Sequence, residues 1–223
     1  VKPQTILDEA LKNLYDGVPL KDVNTSLVIT ARTLVEKEPN YTYATARLLL
    51  DNLRSEALGF LGVAEAATQS DMTTLYARAL PAYIEKGVEL ELLSPELKTY
   101  DLDVLGQALD AERDLKFNYL GLQTLYDRYF IHSNETRIEL PQIFYMRVAM
   151  GLAANEPEKN ERAIEFYRLL SSFDYMSSTP TLFNAGTLRP QLSSCYLTTV
   201  PDDLHGIYGA IQDNAMLSKW AGG

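Results

Sequence analysis

STPTLFNAGTLRPQLSSC, running from Ser178 to Cys195, is the stretch on which the reading of this chain turns. Ser177 to Gln191 is rich in Ser, Thr, Pro, Gly and Asn, follows neither a helical nor a strand period, and reads as loop. Leu192 to Val200 then brings β-branched and aromatic residues without a helical stripe, so a strand is expected there. Alternation would put Ser193, Cys195 and Leu197 on one face and Leu192, Ser194 and Tyr196 on the other. Asp202 is expected to cap a following helix with Leu204, Ile207, Tyr208, Ile211 and Ala215 along one side. Loop, strand and helix in this order make an α/β unit, whose loop amides and hydroxyls could hold a phosphate beside a thiol.

Upstream, nearly everything reads as helix. Asp22 to Lys37 carries Val23, Leu27, Ala31, Leu34 and Val35 on one face and is stopped by Glu38 and Pro39. Tyr41, Ala44, Thr45, Leu48 and Leu49 repeat the stripe in a second helix reaching about Gly59, which makes an antiparallel hairpin. The Ala-rich, polar stretch after Gly62 is a boundary. Helical periodicity resumes from Asp71, read as a cap, to Lys86, with shorter helices from Pro95 and Leu102. Ser133, Asn134 and Glu135 suggest a turn or short hairpin within Tyr129 to Leu140. Pro141 opens a helix with Phe144, Val148 and Leu152 on one stripe, and Asn160 to Ser172 another with Ala163, Phe166, Tyr167 and Leu170 inward.

Composition narrows the function. The 223 residues, 46% of them hydrophobic, suffice for a real core. No apolar run reaches the roughly 18 residues of a membrane span, and the start lacks a signal peptide's pattern, so a soluble cytoplasmic chain is expected. A net charge of −10 argues against nucleic acid and membrane surfaces as partners, so any phosphate must be held by local groups. The single Cys195 excludes an internal disulfide, and His132 and His205 lack metal-ligand spacing, so no metal site is expected. A lone strand cysteine is more often a small buried hydrophobe than a reactive group, and the residues alone leave both readings open.

The run from Ser178 to Cys195 resembles the first active-site segment of ribonucleotide reductase large subunits. Glu112, Arg113 and Asp114 with Phe117 and Tyr119, and Pro141 and Gln142 with Arg147 to Gly151, look like the helical domain that precedes that family's barrel. Asp202 to Tyr208 and Ser218, Lys219, Ala221, Gly222 and Gly223 resemble it as well. The resemblance implies a mainly α, overall α+β fragment in three parts. Residues 1–58 would be the second half of an ATP-cone, 59–175 the helical N-terminal domain, and 176–223 the first strand and helix of a ten-stranded α/β barrel.

It also implies reduction of ribonucleoside diphosphates by a radical mechanism. Thr179, Ser194, Cys195 and Gly222 would contact the substrate, with Cys195 one of two redox cysteines whose partner lies outside this chain. Asp202, Asp203, Leu204 and Lys219 would hold a deoxynucleoside triphosphate effector. On one helix Asp202 and Lys219 would stand roughly 25 Å apart at about 1.5 Å per residue. One effector is therefore expected to take them from two antiparallel copies, which makes a homodimer. No cofactor is expected within the fragment; the radical would come from a di-metal small subunit, and the electrons from thioredoxin or glutaredoxin.

The cone-like part departs from the family pattern. Asn24 stands where a nucleotide-contacting histidine is common, and Ser55 and Glu56 fall near an expected basic residue, so this module is expected to act as structure rather than as an ATP sensor. Two rival readings are a cobalamin-dependent reductase and a non-catalytic helical interaction module in which Cys195 is simply buried.

Overall fold

The computed structural model describes residues 1–220 and 222. They divide into two compact units, one made of Val1–Lys86 with Asp101–Phe144, the other of Gly87–Tyr100 with the chain from Tyr145 onward. Both are mainly helical.

In the first unit, α1 (Pro3–Leu11) starts with proline in its first turn, where the missing N–H costs no bond. Helix α2 (Leu20–Thr33) tightens into a 3-10 turn at Leu34–Glu36 before Pro39, and α3 (Tyr41–Phe60) packs along it. Ile6, Ala31, Leu34 and Tyr41 form a small core between these helices, with Leu27 and Leu48 against it. Helix α4 (Met72–Glu89) runs past the expected stop at Gly87. Asp71 stands at the expected cap position, its carbonyl accepting from Thr74 N at 3.1 Å and Leu75 N at 3.0 Å, while its carboxylate turns back to accept from the Thr68 N–H at 2.8 Å and hydroxyl at 2.7 Å.

Three short-range acceptors start the next turns. Asp101 accepts from Val104 N at the head of α5 (Leu102–Gln107), Asp110 from Glu112 N before a 3-10 stretch, and Asn118 from Gly121 N at α6 (Tyr119–Arg128). Helix α6 was not among the expected elements. The hairpin is present as β1 (His132–Ser133) and β2 (Thr136–Arg137), turned by Asn134 and Glu135 with φ of 48° and 67°. Helix α7 (Pro141–Ala153) departs from the single stripe expected: every residue from Pro141 to Met150 is buried, while Leu152 is 37% exposed. A helix apolar nearly all round is one that is covered nearly all round.

The second unit contains α8 (Lys159–Ser171), α9 (Thr179–Asn184) and α10 (Leu204–Lys219). Ala163, Tyr167 and Leu170 of α8 point inward as expected, and Phe166 is half-buried. Two expectations fail here. The loop from Ser177 to Gln191 contains a helix, α9. The strand over Leu192 to Val200 is absent: the segment joins no sheet, and everything from Ser193 to Val200 is exposed. A strand exists through hydrogen bonds to a neighbour, and no described residue offers this segment one.

Candidate active site

The segment singled out by sequence is built on α7. Arg147 is among the largest fully buried side chains, and one guanidinium nitrogen, Nη1, donates to the carbonyls of Leu182 at 3.1 Å, Phe183 at 3.4 Å and Ala185 at 2.8 Å. These lie at the last turn of α9, where carbonyls lack partners within the helix. A cation here both satisfies them and opposes the negative end of the helix dipole.

One turn further along α7, Gly151 lets the chain at Gly186 come close. A Cβ on Gly151 would stand 2.2 Å from Gly186 N, and Gly186 itself has φ of +77°, a conformation that favours glycine. The Gly186 carbonyl accepts from Ser94 N at 3.0 Å, and Thr187 forms an isolated bridge with Leu93. Nearby, the Tyr100 hydroxyl donates to the Met150 carbonyl at 2.6 Å, and burial, then Glu96, pushes its pKa up to about 12. Burial likewise pushes up Tyr145, whose ring meets Phe173 edge-on.

Two side chains of this seat reach forward. Thr181 Oγ1 donates to Leu192 O at 3.1 Å, and Asn184 Nδ2 to Gln191 O at 2.7 Å. The arginine-anchored helix is thus tied to the backbone just before Ser194 and Cys195. Thr179, the first residue of α9, is exposed, as are Ser194 and Cys195. An exposed thiol does not fit the rival reading of Cys195 as a buried core residue.

Gly222 lies elsewhere. It lines an open cleft of about 600 Å³ with Gln191, Tyr196, Asp213, Leu217 and Trp220, and its N–H donates to Leu217 O at 2.8 Å. Thr179, Ser194 and Cys195 are not among the residues lining that cleft. Ala221 and Gly223, part of the family resemblance, lie outside the described residues.

The cap of α10 is Asp203 rather than the expected Asp202: Asp203 is extended, and its carboxylate accepts from Gly206 N at 2.8 Å. Asp202 precedes the helix, Leu204 opens it 72% exposed, and Lys219 ends it with its ammonium 5.5 Å from the Trp220 ring centre. At about 1.5 Å per residue Leu204 and Lys219 stand about 22 Å apart, so one copy of α10 does not bring Asp202, Asp203, Leu204 and Lys219 together. Its apolar stripe is uncovered, with Tyr208 64% and Ile211 56% exposed, and only Ala210 is buried.

Sequence reasoning named Arg147 and Gly151 only within a motif and gave them no role. The available signal was a strong base inside the apolar run from Ile143 to Leu152. Among the described residues no group of three His, Cys, Asp or Glu could hold a metal, and no helix is long and apolar enough to cross a membrane.

Comparison with known proteins agrees with the resemblance. Residues 115–190 match the family model described as ribonucleotide reductase, all-alpha domain. The chain is 50% identical over 219 residues to the ribonucleoside-diphosphate reductase subunit alpha of Chlamydia muridarum, covering 98% of this chain and 20% of that protein. Identity is 38% to the subunit alpha of Helicobacter pylori, covering 96% and 26%, and 34% to the large subunit of Danio rerio, covering 100% and 27%. The chain thus spans about a fifth to a quarter of the length of these relatives. With half of its residues identical across almost its whole length to one such subunit, and residues 115–190 matching the family's all-alpha domain, the chain belongs to the large-subunit family of ribonucleotide reductases and corresponds to one part of that subunit.

Proposed function

We propose that the parent protein reduces ribonucleoside diphosphates to deoxyribonucleoside diphosphates, and that this part supplies a substrate loop, one redox thiol and part of an effector site. The observation that carries the reading is an exposed Cys195 directly after a segment tied to the anchored helix α9, in a chain half identical to a named reductase.

In this reading Thr179, Ser194 and Gly222 contact the substrate nucleotide, and Cys195 faces the ribose. A thiyl radical on a cysteine outside this chain takes a ribose hydrogen and later returns it. Cys195 and a second cysteine each give up one electron and one proton. The 2′-hydroxyl leaves as water, a C–H bond forms in its place, and the two sulfurs join in a disulfide. Thioredoxin or glutaredoxin then restores the dithiol, and a partner small subunit supplies the radical. The setting is the cytoplasm.

Residues 1–58 are read as the second half of an ATP-cone that no longer binds nucleotide, 59–175 as the helical domain, and 176–223 as the opening of the barrel. The polar hollow on α2 is lined by Asn13, Asp22, Thr25, Ser26, Ile29 and Thr30, with an acid but no base to meet a triphosphate. Glu56 is already engaged, accepting from the Tyr126 hydroxyl at 2.7 Å and Arg137 N at 2.6 Å. The effector lies between two copies of α10, taking Asp202, Asp203 and Leu204 from one and Lys219 from the other.

The test is Cys195→Ser in the full-length subunit, assayed with its small subunit. Turnover with thioredoxin should vanish while effector binding is retained. Sustained turnover by that variant would overturn the assignment.

A further inference from the structure

We propose that Arg147 is a positioning residue of the reductase site: from inside α7 it sets where the Thr179 loop and the Cys195 segment stand, without touching substrate. The inference rests on the function proposed above and adds the group that holds its geometry. Three observations converge on it. Arg147 is fully buried and spends Nη1 on three backbone carbonyls at the end of α9, a helix of six residues and too short to be stable by itself. One turn further along, α7 admits Gly186 only because residue 151 has no side chain. The helix so held passes its position on through Thr181 to Leu192 and through Asn184 to Gln191, which stand two and three residues before Ser194 and three and four before Cys195.

A buried guanidinium is a costly way to hold a loop unless the position of that loop matters. Its planar fork fixes direction as well as distance, which an ammonium on a flexible stem does not. Because a displacement of about 1 Å at a reacting group can cost on the order of 100-fold in rate, a residue one layer away is expected to act on the chemistry through placement alone.

The experiment uses the full-length subunit with its small subunit and CDP as substrate. Arg147→Lys keeps the charge but not the fork, and Gly151→Ala leaves the arginine intact while pushing the Gly186 seat. Both are expected to raise the KM for CDP and lower kcat, each at least 10-fold, with effector affinity changed less than 2-fold. Thr179→Val serves as the reference for the substrate loop and should weaken CDP binding by itself. If Thr179→Val weakens CDP binding but both seat variants keep wild-type kcat and KM, the role of Arg147 is refuted and the function stands. Should Thr179→Val leave CDP binding unchanged, the substrate reading of the loop falls and the inference falls with it. An Arg147→Lys protein too unstable to isolate leaves the decision to Gly151→Ala, whose wild-type kinetics would equally refute the role.

Discussion

Asp114 is the keystone of the first unit, and Asp114→Asn tests how far one buried carboxylate holds it. The side chain is fully buried and accepts from Tyr76 OH at 2.8 Å, Gln142 Nε2 at 2.8 Å and Arg54 Nη2 at 3.4 Å. Arg54 is itself only 2% exposed, and its Nε finds no hydrogen-bond partner. Removing one partner of a buried ion pair costs about 3–5 kcal/mol. Asparagine relieves the carboxylate's own desolvation, and Arg54 retains Asp51 at 3.4 Å, so the lower end, about 3 kcal/mol, is expected. In amide hydrogen exchange on the intact subunit that is roughly a 100-fold loss of protection along α3, since about 1.4 kcal/mol is tenfold.

The pH dependence has a definite sign. Burial raises the Asp114 pKa above its ordinary 3.8, against the opposing pull of Gln142, Tyr76 and Arg54. Above 3.8 the folded state therefore holds more protons at this site than the unfolded state, and its contribution to stability falls as pH climbs through that window. The cost of Asp114→Asn should accordingly be larger below the window than above it. Tyr76→Phe combined with Asp114→Asn should be non-additive by more than about 1 kcal/mol; additivity within about 0.5 kcal/mol would refute the network.

Burial, then Glu56, pushes Tyr126 up to about 12, so Glu56→Gln should bring its titration, followed by NMR, part of the way back to 10. Because the folded pKa is the higher one, stability contributed at Tyr126 falls between about 10 and 12 as pH rises, and the variant should narrow that window. Asp203→Ala removes the α10 cap and should cost about 1 kcal/mol, read as faster exchange at Gly206 N–H; unchanged exchange would deny the cap. ATP should leave amide protection along α2 unchanged, and protection gained there would restore the module as a sensor. Mixed Asp202→Ala and Lys219→Ala subunits should regain about a quarter to a half of the effector response that each lacks alone, since only mixed dimers hold an intact site; no recovery would remove the two-copy site.

Helices were legible wherever an apolar stripe was paired with a stop. Glu38 and Pro39 ended the helical stretch of α2, and Tyr41 to Gly59 gave α3 to within a residue or two. Helix α6 carried a legible signal that was not used, since Leu122, Leu125 and Tyr126 follow the cap Asn118 at helical spacing. The single stripe read for α7 failed because, Gln142 and Arg147 apart, its residues from Pro141 to Met150 are apolar all round, and periodicity cannot report a face when there is little to contrast with it. The missing strand at Leu192 to Val200 is a failure of locality. Its β-branched residues are suited to a sheet, but a sheet is a property of two segments, and only one of them is read in a local window.

The site shows the same division between what residues announce and what their neighbours decide. Thr179, Ser194 and Cys195, proposed to meet the substrate, were singled out through motif, and the structure leaves all three exposed. The groups that hold them are legible only in three dimensions, since Arg147 and Gly186 are 39 residues apart and meet through backbone atoms that carry no sequence signature. Gly151 makes the point most sharply. In sequence it is one glycine of a motif inside a helix, where it costs about 1 kcal/mol relative to alanine. In the structure that cost is offset by the approach of Gly186, which a single methyl group would block. A locally unfavourable residue in the middle of a buried helix is therefore a pointer to close backbone contact, and here the contact belongs to the loop proposed to hold the substrate.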